Sequence, residues 1–405
     1  MTQLFRIIRR HALSGVAMLL LATVHLAPAR AAGTPIVIGG TLGLTGAFAG
    51  PSAEYKAVYD YWLNEVNKKG GLLGRPVKMT IYNDESTPTI AQSLYNRLID
   101  TDHADLLLSP YTTFVGGAIV PIVLSHHKLL FNGGFVGINI FRAARGSIIG
   151  SYTYQEPDYT RGLFELLKTL PEQQRPKRVA IFTAQNPFPL VVRDGVNGQG
   201  GAINYAKAAG ATVVVNEQYP PGTTDFTGLV QKAKAAHADI LLELGLPDDS
   251  LQVARTIQQQ GYKPAIFCVC GSQVSTLPAW PKLGAAAEGV IGTTVSWPNQ
   301  PYRDLSKIAA FFKRRGYETV PTYGIVSYAI LQVLEQAVDG AKTLDQDKLK
   351  SYILSHEFHT VAGDLKYQAD GTPAYSEIVL QYLHGKNEVV WPKQFQTSKP
   401  TIPMP

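Results

Sequence analysis

Short apolar runs alternate with stretches of helical periodicity along most of the chain. The runs at 36–40, 77–82, 106–109, 129–132, 179–183, 212–215, 240–244, 266–269 and 290–295 are of strand length. Between them, 54–67, 89–100, 160–169, 200–209, 226–236 and 249–260 repeat apolar residues with a helical period. Strands alternating with helices predict βα units and parallel sheets. The alternation lapses at Ser151-Tyr-Thr-Tyr-Gln-Glu-Pro-Asp158, so two sets of units fit better than one continuous sheet. Further helices are expected at 323–341 and near 348–355. A hairpin is expected between 363–367 and 377–383, across the Asp-Gly turn in Ala369-Asp-Gly-Thr-Pro373.

The N-terminus departs from this pattern. Arg6, Arg9 and Arg10 precede an apolar run from Ala12 to Ala27, followed by Ala29-Arg30-Ala31. This is the layout of an export signal cleaved after Ala31, and the run is short for a membrane span. No cysteine stands at the cleavage point to take a lipid, so the expected product is a soluble periplasmic chain of 374 residues from Ala32. That length suits two domains. Apolar residues at 45% and charged residues at 17% argue against disorder. The net charge is +6, but four basic residues (Arg6, Arg9, Arg10, Arg30) lie in the leader, and +6 less 4 leaves +2. The longest basic cluster, Lys313-Arg314-Arg315, reads as a solvated helix face, so no nucleic-acid partner is expected.

Enzymatic signatures are missing. Gly39-Gly40-Thr-Leu-Gly43-Leu-Thr-Gly46 fits neither G-x-G-x-x-G nor a P-loop, there is no G-x-S-x-G, and His356-Glu-Phe-His359 is one residue short of H-E-x-x-H. No cofactor, no metal and no catalytic residue is expected. Cys268 and Cys270 are two apart, so a disulfide between them is expected to strain the backbone. They read as small residues packed beneath or beside a pocket, with a redox role or ligand contact as the other options. Tyr55, Tyr59 and Trp62 form one helix stripe, read as core.

Three turns follow strand candidates in the first half: the glycine-rich turn through Phe48, Ser109-Pro-Tyr111-Thr112-Thr113, and Asn132-Gly133-Gly134-Phe135. Ligands of open parallel sheets sit outside the carboxyl ends of strands, so these turns point to one edge. Thr112 or Thr113 can cap the next helix, whose first N–H groups favour an anion. The glycines at 133 and 134 are expected to leave backbone N–H groups bare.

Several segments in order resemble the branched-chain amino acid and amide binding proteins of ABC importers, which have the type I periplasmic binding fold. They are Ile36-Val-Ile-Gly39, Leu44-Thr-Gly46, Val66-Asn-Lys-Lys-Gly-Gly71-Leu-Leu-Gly74-Arg-Pro-Val77, Lys177-Arg-Val-Ala180, Asp225-Phe226 and Ala286-Ala-Glu-Gly289-Val. The resemblance implies an α/β protein of two Rossmann-like lobes joined by three hinge crossovers, near Tyr152, Val295 and Thr360. Lobe 1 would be 32–151 with 296–359, and lobe 2 152–295 with 360–405. It implies a small-molecule ligand in the cleft, delivery to an inner-membrane ABC permease, and a monomer. A ligand sensor acting on a signalling partner is the alternative.

By the same resemblance Thr113 falls where a pocket serine binds the ligand carboxylate, and Gly134 and Phe135 where an α-amino acid is fixed. Phe135 removes a polar anchor there. Around Cys270 amino-acid receptors place an acid that meets the ammonium, and Cys268-Val-Cys-Gly-Ser-Gln has none. Glu243 either substitutes for it or hydrogen-bonds within the protein. The candidate contacts are Phe48, Tyr111, Thr112, Thr113, Gly133, Gly134 and Phe135 from the first set, with Phe188, Glu243, Leu246 and Cys270 from the second. The ligand is an apolar amino acid or an aromatic or aliphatic carboxylate. Phe135 and Phe188 favour the carboxylate.

Overall fold

Two parallel sheets are wound in succession with the same strand order. The computed structural model describes residues 33–271 and 274–405. The expected leader, 1–31, lies outside them. The first sheet holds β1 (Ile36–Leu42), β2 (Val77–Asn83), β3 (Leu106–Leu108), β4 (Leu130–Asn132) and β5 (Ile148–Gly150), in the order β2-β1-β3-β4-β5. Next come β6 (Arg178–Ala184), β7 (Thr212–Tyr219), β8 (Ile240–Leu244), β9 (Ile266–Cys268) and β10 (Ile291–Thr294), ordered β7-β6-β8-β9-β10. A separate hairpin, β11 (Glu357–Thr360) with β12 (Gly363–Lys366), precedes β13 (Ile378–Leu383) and β14 (Lys386–Trp391). These last two extend the second sheet antiparallel beyond β10, making it seven-stranded.

The helices are α1 (Ala49–Lys68), α2 (Pro88–Asp100), α3 (Thr113–Ser125), α4 (Ile138–Ala144), α5 (Arg161–Lys168), α6 (Pro187–Asp194), α7 (Ala202–Ala208), α8 (Thr227–Ala235), α9 (Pro247–Gln259), α10 (Leu305–Arg314), α11 (Thr322–Ala341) and α12 (Gln346–Ser355). Helices on both faces bury a parallel sheet completely, which is why β3 and β8 are buried at every residue, whereas the edge strand β2 is mostly half-exposed. Helix α11 is buried through most of its length and packs on α1 and β4. Trp62 Nε1 donates to Glu335 Oε2 at 3.0 Å, and the Ser151 hydroxyl donates to the Val326 carbonyl at 2.8 Å. Tyr55, Tyr59 and Trp62 form a buried stripe on α1, as core packing requires. Among the described residues, no helix is long and apolar enough to cross a membrane.

The chain passes between the sheets along segments that lie side by side. The Thr153 hydroxyl donates to the Ser376 carbonyl at 2.5 Å, and the Ser296 hydroxyl to the Val361 carbonyl at 2.7 Å.

The C-terminal pairing differs from the expectation. β12 pairs with β11, and β13 pairs with β10 and β14. All six residues of β13 are buried, which a position inside the sheet provides and pairing with the alternately exposed β12 would not. The Asp-Gly turn does form, with Gly371 N–H donating to the Gln368 carbonyl at 2.9 Å and Tyr367 and Pro373 paired in an isolated antiparallel bridge. Strand β5 is a further difference: Ile148-Ile149-Gly150 offers only two apolar residues in a row, too short a run to be read as a strand.

Candidate functional site

In each sheet the chain reverses its winding between the first and third strands of the set, so crevices open at the carboxyl ends of β1 and β3, and of β6 and β8. A cavity lies between them. One wall is Tyr111, Thr112 and Thr113 after β3 with Gly134, Phe135 and Val136 after β4. The other is Asn186 and Phe188 after β6, Gly245, Leu246 and Pro247 after β8, and Gly271 after β9. Tyr152 and Tyr159, from the connection between the sheets, and Tyr323, from the first turn of α11, complete it.

Both walls are held from behind by hydrogen bonds that the sequence dictates locally. Asn132, the last residue of β4, accepts from the N–H groups of Gly134 and Phe135, both at 3.1 Å, and donates to the Phe135 carbonyl at 2.8 Å. Gly134 N–H also reaches the Ser109 hydroxyl at 3.0 Å. The N–H groups of Gly134 and Phe135 are therefore occupied within the loop, which corrects the expectation that the Gly134 N–H stands bare. Thr112 is the N-cap of α3: its hydroxyl accepts from Phe114 N–H at 3.2 Å. Thr113 donates its hydroxyl to the Val136 carbonyl at 2.7 Å, tying the two loops of this wall together. Thr112→Ala is expected to cost about 1 kcal/mol of unfolding free energy in urea titration, with Thr112→Ser retaining most of it.

Beneath the opposite wall lies a buried acid network. The Tyr219 hydroxyl donates to Glu243 Oε1 at 2.7 Å and lies 3.2 Å from Asp249 Oδ2, while the Ser250 hydroxyl meets Glu243 Oε2. Asp249 also accepts from Leu246 N–H at 3.0 Å. Burial, with the Asp249 charge adding to it, pushes the Glu243 carboxyl up to about 8. Gly245 covers this network closely, since a Cβ there would stand 2.0 Å from the Tyr219 hydroxyl oxygen.

Seven of the expected contacts line the cavity: Tyr111, Thr112, Thr113, Gly134, Phe135, Phe188 and Leu246. Four lie one layer behind it. Phe48 packs edge-on against Tyr111, with ring centroids 5.8 Å apart. Gly133 packs against Val326 and Ile330 of α11, and its carbonyl accepts from the Tyr55 hydroxyl at 2.7 Å. Glu243 takes the internal option, because its oxygens are engaged within the protein. Cys270 is joined to Cys268 in a disulfide with the Cα atoms 5.3 Å apart, against the expectation of unbridged packing. The reason is that β9 ends at Cys268, so the chain leaves the extended conformation that would hold residues two apart at about 6.7 Å.

The lining residues not anticipated include Tyr152, Tyr159, Tyr323 and Gly245. Tyr152 falls in the stretch read as a boundary, Tyr159 just past its end, and Tyr323 at the head of a distant helix, so nothing local marked them. Tyrosine density was the available signal. Tyr111 donates to the Tyr323 hydroxyl at 3.2 Å, and Tyr159 packs edge-on against Phe188 at 5.0 Å. Burial raises the Tyr111 hydroxyl to about 12 and those of Tyr152, Tyr159 and Tyr323 well above their ordinary value, so all four stay neutral. None of the described lining side chains is a carboxylate, lysine, arginine or histidine.

Facing crevices of two doubly wound sheets thus flank an aromatic and hydroxyl-lined cavity, the place where this topology seats a small molecule. The sequence profile of periplasmic binding proteins matches residues 35–385, and the chain belongs to that family of binding proteins. It is 28% identical over 375 residues to Leu/Ile/Val-binding protein homolog 1 of Brucella melitensis, covering 90% of this chain and 94% of that one. Its identity to the Leu/Ile/Val-binding protein BraC3 of Rhizobium johnstonii is 25% over 346 residues, 82% and 88% of the two chains. Among solved structures, a leucine-binding protein of Thermotoga maritima superposes with a TM-score of 0.74 at 18% identity, covering 87% of this chain and 97% of that one. An R. palustris solute-binding protein in complex with benzoate also gives 0.74, at 15% identity, covering 92% and 97%.

Proposed function

We propose that the protein is the periplasmic receptor of an ABC importer for a small carboxylate with an aromatic or apolar body. The observation that carries this reading is the cavity's polarity: it offers a helix N-terminus and neutral hydroxyls, and no free acid among the described lining residues. A desolvated ammonium without an anionic partner is costly. The buried acids beneath the opposite wall, Glu243 and Asp249, are already committed to Tyr219, Ser250 and Leu246.

The two helices that begin at the cavity differ in a way that orients such a ligand. The first turn of α3 carries no acid, and the helix N-terminus beyond the Phe114 N–H capped by Thr112, with the Thr112 hydroxyl proton, suits a carboxylate, while Thr113, whose proton goes to the Val136 carbonyl, holds the loop in place. The first turn of α9 carries Asp248 and Asp249, which disfavour a second anion. The carboxylate therefore belongs on the α3 side, and the ring or aliphatic body against Phe188, Leu246 and Pro247. The relatives named for leucine, isoleucine and valine and the R. palustris protein solved with benzoate represent the two ligand classes in question.

The free space among the lining side chains is about 40 Å³. Since one water needs ~10–15 Å³, entry of a ring requires the walls to part. Lobes at 32–151 with 296–359, and at 152–295 with 360–405, would separate about the paired crossovers, and the ligand would stabilise the closed form that a permease recognises. The working form is the monomer left after removal of 1–31.

The test is thermal unfolding of the processed protein, refolded to strip carried ligand, with benzoates, aliphatic acids, amides and amino acids. A ligand at 100 times its Kd stabilises by about 2.7 kcal/mol. A rise in Tm with benzoate-type carboxylates and not with leucine or valine is expected. Stabilisation by leucine alone would overturn the ligand class.

A further inference from the structure

We propose that the Cys268–Cys270 disulfide is a positioning element of the ligand cavity, fixing the turn at Gly271 so that tight binding requires the disulfide to be closed. The inference rests on the reading of this cavity as the ligand site. Cys268 is the last residue of β9 and is held from both sides, aligned with Leu242 of β8 and Ile291 of β10. One residue on, Val269 N–H donates to the Ile291 carbonyl at 2.9 Å, so the chain is still held to β10 just before the turn. Cys270 is the first position beyond the ladder, and Gly271 is already cavity wall. The cross-link thus ties the first free residue of the turn to a residue clamped in mid-sheet.

Where the turn is held matters because the wall is thin. Gly271 lies against the backbone at the end of β8: a Cβ on it would stand 3.2 Å from Leu244 Cα and 3.3 Å from Gly245 N. Gly245 in turn rests on the Tyr219 and Glu243 side chains, so neither strand end can retreat. With the Cα atoms of the two cysteines 5.3 Å apart, the disulfide keeps the chain contracted relative to an extended strand. Opening it releases that contraction and lets the turn lengthen toward the cavity or away from it. Both cysteines are fully buried, in the same apolar cluster as Leu242, Leu244, Tyr111, Phe135 and Tyr159. Global stability is a poor explanation for this bridge, since a loop this short removes the least entropy from the unfolded chain.

Three measurements on the processed protein test this. Alkylation in denaturant without reductant is expected to find no free thiol; two alkylated cysteines would overturn the proposal. Opening is then done in two ways. The double variant Cys268→Ala/Cys270→Ala removes the bridge. Dithiothreitol reduces it by thiolate attack on one sulfur, a mixed disulfide, and closure of the reagent's own ring, leaving two protein thiols and one oxidised reagent. Titrated with benzoate, the opened protein is expected to lose affinity about tenfold, some 1.4 kcal/mol, while its ligand-free Tm stays close to that of the closed form. A fall in Tm with unchanged affinity would mean a structural bridge only. If benzoate fails to bind even the closed form, the ligand class is wrong, and the bridge is judged by amide exchange. Faster exchange at 243–247 and 266–271 on opening supports it, and equal exchange overturns it.

Discussion

Raising the pH from 5 to 8 is expected to lower the unfolding free energy of the ligand-free protein by several kcal/mol, with stability greatest on the acid side of neutrality. The cause is a set of carboxyl groups that fold into places where charge is poorly solvated. Burial pushes Glu243 and Glu377 up to about 8, and Glu54 and Glu156 up to about 7. Each lies above the ordinary value of 4.5, so between that value and the raised one the folded chain binds a proton that the unfolded chain has released. Unfolding then releases protons, and stability must fall as pH rises through this window. It is fully present below about 4.5 and lost once pH passes the raised values. At about 1.4 kcal/mol per pKa unit, a fully buried group has a ceiling of roughly 5 kcal/mol, to be discounted for local relaxation. Glu243 and Glu377 are the strongest cases, at 0% and 2% exposure. Glu377 accepts from the Tyr375 hydroxyl at 2.7 Å and Gly162 N–H at 2.8 Å, but its other oxygen is buried with no hydrogen-bond partner. The groups held below their usual range, Glu65, Asp225 and Glu388, act only on the acid side of 4.5. Guanidinium unfolding at four pH values checks the slope, and Glu243→Gln with Glu377→Gln should flatten it. A flat or rising profile in the wild type would sink the argument.

The same residues show where reading a sequence stops. The βα alternation was legible because each strand of a covered parallel sheet is an apolar run and each helix buries one stripe, and nine of the strands fall where such runs stand. The loops at strand ends were legible as a class, because topology sends ligands to those ends whatever the residues are. What failed was the layer within the loop. Phe48 and Gly133 stand beside lining residues in sequence yet back onto Tyr111 and α11, an outcome fixed by packing partners far along the chain. Glu243 at a strand end reads equally as a ligand contact or an internal acid, and only the approach of Tyr219 from β7 decides. Tyr323 reaches the cavity from a helix that begins at Thr322, 170 residues after Tyr152 (322 less 152), and no spacing encodes that. The disulfide escaped for a different reason: its geometry depends on whether β9 runs on through Cys270, and strand ends are the least determined feature of a short apolar run.

Gly134→Ala is expected to destabilise the protein by about 3 kcal/mol and to weaken carboxylate binding at least about tenfold, the larger end of what an overpacked site shows. The conformation at Gly134 does not itself demand glycine, since its φ is not in the left-handed region. The contact does. A Cβ would stand 2.0 Å from the Pro110 carbonyl oxygen, 2.8 Å from its carbon and 2.9 Å from the Ser109 hydroxyl oxygen. Two of these three atoms are backbone, so no side-chain rotation relieves the overlap, and the loops after β3 and β4 must move apart. Those loops carry the whole α3 wall: Thr112, Thr113 and Phe135 on either side of the Thr113 bond to the Val136 carbonyl. Separation strips Gly134 N–H from the Ser109 hydroxyl and loosens the Asn132 bracket, so loss of stability and loss of the carboxylate seat share one cause. Gly228→Ala is the control. It lies in α8, a Cβ there meets nothing within 4 Å, and exchange for alanine should stabilise by up to about 1 kcal/mol without touching affinity. Urea unfolding with calorimetric titration of benzoate separates the two. If Gly134→Ala keeps wild-type stability and affinity, the two loops are not packed as described and the α3 wall is not where the carboxylate sits.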